Sequence, residues 1–187
     1  MPSRRSDKPL RHRRLSESLR KLIIFAMLGT LMFLSKLLME AIPNVHLVGA
    51  LIIIYTIVYR WEALIPIYVF VGLSGLYAGF AVWWIPYCYI WAVLWGMTML
   101  LPKKMPRWLA APVYMVVCAL HGLAYGTLYA PFQTIAYGLD WRAMVTWIIS
   151  GFPFDVIHAG SNFVAGIVIV PVSTVLLKLE QRYSKIG

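Results

Sequence analysis

Charged residues are scarce in this chain. Asp, Glu, Lys and Arg make up 13% of its 187 residues, where a soluble domain carries about a quarter. Acids are scarcer still, seven in all. With 61% of residues hydrophobic and a mean hydropathy of +0.75, the apolar excess is too large for one soluble core to hide. No room is left for a soluble catalytic domain. Cysteine is nearly absent as well: Cys88 and Cys118 both lie inside apolar runs, which argues against a disulfide framework and for buried packing thiols. Enzyme signatures are missing: no HExxH, no GxSxG, no phosphate-cradling GxxxxGK and no spaced pair of acidic metal motifs. His121, Asp155 and His158 could in principle meet as a metal site, and nothing in their spacing demands one.

What remains is a series of apolar runs of the length that crosses a bilayer. Six are legible, at about Leu22–Ala41, Leu47–Tyr59, Ala63–Val82, Ile85–Leu101, Leu109–Ala130 and Ala143–Leu177. The first ends at Pro43-Asn44 and the second at Arg60-Trp61-Glu62. Between the fourth and fifth, Pro102 to Arg107 form the clearest loop. The second run is short, which predicts tilt, a partly interfacial position or residues borrowed from its flanks. The sixth is too long for one span, and Gly151 and Pro153 are expected to break it. The fold class expected is an all-α integral membrane protein, a bundle of six transmembrane helices. Its parts are a basic tail over 1–21, the helical domain over 22–178 and a C-terminal tail over 179–187.

The net charge of +10 is distributed as topology rather than as a nucleic-acid face. Residues 1–21 hold eight Lys or Arg. With the N-terminus inside and six alternating spans, fifteen of the seventeen basic residues fall on the inner side, and only Lys36 and Arg142 on the outer. The positive-inside rule therefore predicts that both termini are cytoplasmic. The first run is longer than a signal-peptide core, and no small-x-small site follows it, so it reads as a retained span. For Leu10 to Lys21 two readings stay open. With Leu15 and Leu19 on one face among Arg13, Arg14 and Arg20, the segment is either a helix on the inner membrane surface or an unstructured basic tail.

Polar residues inside spans are costly and mark either packing contacts or a site. Asp155, His158 and Asn162 recur at i, i+3 and i+7, one stripe of the last helix. As a site they form a polar wall. As packing, Asp155 caps a helix restarting after Pro153 while His158 and Asn162 bond neighbouring helices. Trp84, Tyr87, Trp91 and Trp95 form a comparable stripe on the fourth span, either a stacking wall for a flat ligand or, for the outermost residues, an interfacial aromatic belt. His121 and Tyr125 share a face of the fifth span beside Gly122 and Gly126, a small-xxx-small surface for close helix approach; His121, near mid-depth, either makes a packing hydrogen bond or joins Tyr125 in contacting the ligand. Lys36 and Glu40, at i and i+4, either pair with each other or hold a ligand carboxylate, and His46 follows them in the outer loop. The two stripes descend to equal depth. This places a binding site in the outer half, beneath the loop joining the first two spans. The ligand expected is a flat heterocycle with polar edges.

These features together resemble a known family. Six spans, a basic cytoplasmic tail, the pattern PFDxxHxxxNF over 153–163 and aromatics near the outer mouth look like the substrate-binding S component of an energy-coupling factor (ECF) transporter. The resemblance covers nearly the whole chain after residue 21. It implies uptake of a vitamin or related micronutrient across a bacterial cell membrane. It implies a separate transmembrane coupling subunit and two cytoplasmic ATPases as partners, and neither catalysis nor a cofactor in this chain. The family's small-xxx-small docking motif on the first helix maps to Ala26 and Thr30, with Gly29 adjacent; threonine stands where the second alanine is usual. The other readings are a stand-alone tryptophan-rich membrane sensor or ligand-binding protein and, third, an integral membrane enzyme.

Overall fold

A computed structural model of the protein describes residues 7–42 and 44–186, with side chains for 18–42, 44–106 and 108–182. The start of the basic tail, with Arg4 and Arg5, and the expected turn residue Pro43 lie outside the described residues. Among those described there is no strand, and the helices are α1 (Asp7–Leu38), α2 (Val48–Tyr59), α3 (Leu64–Ala78), α4 (Tyr87–Leu100), α5 (Arg107–Leu123), α6 (Tyr125–Tyr137), α7 (Trp141–Ala165) and α8 (Ile169–Ile186). Helices suit an apolar solvent, because each satisfies its own backbone N–H and C=O groups. Four stretches are long and apolar enough to cross a bilayer: Ser18–Leu38, Val48–Ala78, Trp108–Tyr137 and Trp141–Arg182. The outward faces match, with Leu22, Ile23, Met27 and Leu31 of α1 and Phe152, Ile157 and Val164 of α7 all exposed.

Contacts between helices fix their directions. α2 runs against α1, since the Tyr55 hydroxyl donates to the Leu28 carbonyl at 3.2 Å and Phe25 packs edge-on to Tyr59. The chain then reverses at Arg60, a non-glycine residue with a positive φ of 53°. The reversal is held by the Trp95 indole donating to the Arg60 carbonyl at 3.0 Å and the Arg60 guanidinium donating to the Met99 carbonyl at 3.2 Å. α3 therefore runs parallel to α1, with Lys21 meeting Glu62 at 2.7 Å and Phe33 meeting Tyr77 further along. α4 returns along α3, where the Tyr68 hydroxyl donates to the Cys88 carbonyl at 2.9 Å. α5 and α6 run back along α4, and α7 runs against them through the pairs Cys118–Asn162 and Gly126–Asp155. Finally α8 brings Glu180 to the Tyr59 hydroxyl at 3.0 Å, back at the α2–α3 reversal.

Several expectations are revised. The helix that holds the first apolar run begins at Asp7, so the segment Leu10 to Lys21 and the run are one continuous helix rather than a separate surface segment or an unstructured stretch. α2 lies inside the bundle: Val48, Gly49, Ala50 and Ile52–Thr56 are buried, wrapped by α1, α4, α5, α7 and α8. At 12 residues it is about 18 Å long. Gly151 and Pro153 do not break the last run. α7 passes through both, and the helix changes instead at the 3₁₀ turn Gly166–Val168, where Gly166 lies against Met115 of α5. The fifth run divides at Ala124 into α5 and α6. Trp84 belongs to a 3₁₀ turn, Val82–Trp84, ahead of α4, so it falls off the helical stripe of Tyr87 and Trp91.

Candidate ligand-binding cavity

The loop over 39–47 follows the end of α1 and leads into α2. Asn44 takes a left-handed φ of 60°, which asparagine tolerates better than most residues, and its side-chain amide reaches the Phe154 carbonyl of α7 at 3.4 Å. This contact draws the loop across the bundle. Beneath it lies a cavity of about 220 Å³ lined by Lys36 near the end of α1, by Met39, Glu40, Ile42, Asn44, Val45 and His46 of the loop, by Tyr87 of α4, Tyr125 of α6 and His158 of α7. Five expected site residues therefore share one cavity: Lys36, Glu40, Tyr87, Tyr125 and His158. Lys36 and Glu40 both line the cavity, and among the described residues they form no ion pair with each other.

The walls are rings. His46 packs edge-on to His158 with centroids 4.8 Å apart, and Tyr125 meets His158 at 5.0 Å. Trp91 forms the tier below, touching His46, Tyr87, His121 and Tyr125. Its place follows from helical spacing, since one turn separates it from Tyr87 on the inward face of α4. His121 lies beside it, with Nε2 3.0 Å from the Ile90 carbonyl. A carbonyl only accepts, so that contact assigns the proton to Nε2 and leaves Nδ1 as an acceptor.

The tier is unusual in its unsatisfied chemistry. Neither ring nitrogen of His158 has a hydrogen-bond partner, and the same holds for His46 Nδ1, Trp91 Nε1, His121 Nδ1 and Asn162 Oδ1. Trp91, His121, His158 and Asn162 are buried, His158 at 2% and Asn162 at 0% exposed, and His46 is half-buried. An unpaired buried polar group costs about 1–3 kcal/mol, and such groups are few in native proteins. Here they converge on one cavity and the layer beneath it. His46 also sits in a desolvated position next to Lys36, and burial with that positive neighbour lowers its pKa from 6.5 to about 4. It is neutral at physiological pH, so the ring is available to donate at one nitrogen and accept at the other.

The other expected site residues have structural partners. Asp155 does not cap α7. Its carboxylate accepts the Gly126 backbone N–H at 3.1 and 3.2 Å, which caps the first turn of α6 from across the helix pair. Asn162 donates through Nδ2 to the Cys118 carbonyl at 3.1 Å. Gly122 and Gly126 make these contacts possible: a Cβ on Gly122 would lie 2.9 Å from the Asn162 amide nitrogen, and one on Gly126 would collide with the Asp155 carboxylate. The indole of Trp84 donates to the Val71 carbonyl at 2.8 Å, away from the cavity. Gly29 is not on an outer docking face. It is buried where α1 crosses α3, with Pro66 and Val69 against it, while Ala26 and Thr30 are exposed. Among the described residues, His, Cys, Asp and Glu side chains form no group of three placed to hold a metal ion.

Compared with protein-family models, with curated proteins and with solved structures, the chain has no match.

The residue that sequence reasoning missed is His46, which had been noted only as a loop neighbour of Lys36 and Glu40. The signal was present: a titratable ring flanked by Val45 and Leu47 at the threshold of an apolar helix is the same kind of exception that singled out His121 and His158. The loop residues Met39, Ile42, Asn44 and Val45 carried no such signal, because their place over the cavity depends on where the loop folds.

Proposed function

We propose that this chain is the membrane-embedded substrate-binding subunit of an ECF-type importer, binding a small ring-bearing micronutrient. In this reading it crosses the membrane six times, by α1, α2, α3, α4, α5–α6 and α7–α8, with both termini in the cytoplasm of a bacterial cell. The reversal at Arg60 supports counting Val48–Ala78 as two crossings. The fourteen residues of α4 then cross where protein on several sides shortens the path through lipid. ATP hydrolysis resides on two partner chains and coupling on a separate transmembrane subunit. The exposed apolar stripe of α1 around Ala26 and Thr30 is the surface offered to that subunit.

The observation that carries the binding role is His158, buried in the cavity wall with both nitrogens unpartnered. A side chain retained for packing would bond its neighbours; one retained for a ligand leaves its atoms open. The test follows from that contrast. Mass spectrometry of small molecules released from the denatured purified protein identifies the ligand, and calorimetric titration measures it. His158→Leu should weaken binding by roughly ten- to a hundredfold while the ligand-free protein melts at the same temperature or higher. A variant that melts lower yet binds as tightly as wild type overturns the binding role. For the transport role, Ala26→Trp should abolish uptake and co-purification of the ATPases while leaving binding by the isolated subunit intact. Uptake unchanged in that variant removes this face as the docking surface.

A further inference from the structure

A second concavity adjoins the first. It is an apolar groove of about 430 Å³, running between the loop and the outward face of α7 along Ile157, Gly160, Ser161 and Val164. The two share three wall residues, Met39, Val45 and His46, so they lie side by side under the loop. Their chemistry differs sharply. The cavity presents an ammonium, a carboxylate, two phenols and two imidazoles, whereas the groove is lined almost wholly by carbon. Gly160 keeps its floor open, since a Cβ there would meet nothing within 4 Å. The neighbouring Ile157 and Val164 are 50% and 64% exposed, so the groove opens sideways, on the face that meets lipid.

We infer that the ligand is amphipathic: a polar, ring-bearing head sits in the cavity and a single apolar chain leaves through the groove toward the bilayer. This rests on the binding role proposed above and adds the class of molecule bound. A polar ligand alone would leave the groove to lipid, and a lipid chain alone would leave the His158 nitrogens unpartnered. One molecule that does both satisfies the two surfaces together. In a bilayer the chain gains little from burial, because lipid is as apolar as the groove. Its use is to select tailed molecules and to admit them laterally, from the leaflet in which they are concentrated.

The test uses the full chain in detergent and a 4-dodecyloxybenzoic acid, a ring-bearing carboxylate head with a single apolar chain, carrying a photoreactive diazirine near its methyl end. Irradiation followed by peptide mapping should place saturable label on the segment 157–165 and on the loop over 39–47. Lys36→Ala and His158→Leu, which alter only the head site, should each reduce that label at least tenfold. Gly160→Trp, which fills the groove from an open position, should abolish it without lowering the melting temperature. Label that does not saturate, or that is unchanged in the two head-site variants, means the groove takes bilayer chains independently of the cavity and overturns the inference. The binding role fails separately: it falls if His158→Leu does not weaken the molecule released from the wild-type protein. A released molecule that is polar throughout and depends on His158 would keep the binding role and refute the tail.

Discussion

Asp155 offers the sharpest division between packing and binding. It was expected on the ligand wall, but its carboxylate accepts the Gly126 N–H through both oxygens, at 3.1 and 3.2 Å. Gly126 is in the first turn of α6, where backbone donors have no intrahelical partner and the helix dipole favours an anion. Asp155 is 6% exposed, so water cannot replace it. Removing the carboxylate in Asp155→Ala strands that N–H and deletes a charge-assisted bond, together worth about 2 kcal/mol. For a chain of this length, that lowers the melting temperature by about 4–8 °C. Asp155→Asn keeps an uncharged acceptor and should lose about half as much. Ligand affinity should stay within twofold in both variants, because the carboxylate points at α6 and does not line the cavity. Thermal melting of the ligand-free protein, set beside calorimetric titration of the ligand, reads both quantities. A protein that melts like wild type but has lost its ligand would refute the argument and return Asp155 to the binding wall.

Two further outcomes are expected. Gly122→Ala places a Cβ 2.9 Å from the Asn162 amide and 3.0 Å from the His158 backbone, forcing α5 from α7 at a cost of about 1–3 kcal/mol. Gly160→Ala meets nothing within 4 Å and should melt as wild type; equal melting of the two variants would show that α5 and α7 do not pack through Gly122. His46 makes stability pH-dependent: its folded pKa of about 4 lies below the ordinary 6.5, so the unfolded chain binds the proton first. Stability is then full above about pH 7, falls by up to about 3 kcal/mol as pH drops from 6.5 to 4, and is level below that. His46→Gln should flatten the profile by about 2 kcal/mol between pH 7 and pH 5, and identical melting profiles for the two proteins would show that His46 is not held as a neutral ring.

Composition and hydropathy determined that the chain is helical and apolar on its outside, because in hydrocarbon a helix satisfies its own backbone groups. Period and spacing also placed Tyr87 over Trp91, and His158 over Asn162, on single helix faces. What those faces touch was a tertiary matter. The i, i+3, i+7 pattern of Asp155, His158 and Asn162 is the same whether the stripe meets a ligand or a helix. The glycines decide it, because Gly122 and Gly126 let α5–α6 approach closely enough to take Asp155 and Asn162, while His158 is left facing the cavity. Pro153 reads as a break in sequence, yet α7 continues through it, and the helix changes instead at Gly166, where α7 closes on Met115. The roof of the cavity, with His46 in it, was equally illegible. It exists because Asn44 reaches the carbonyl of Phe154, 110 residues away, and a contact between residues so distant leaves no trace in local composition or period.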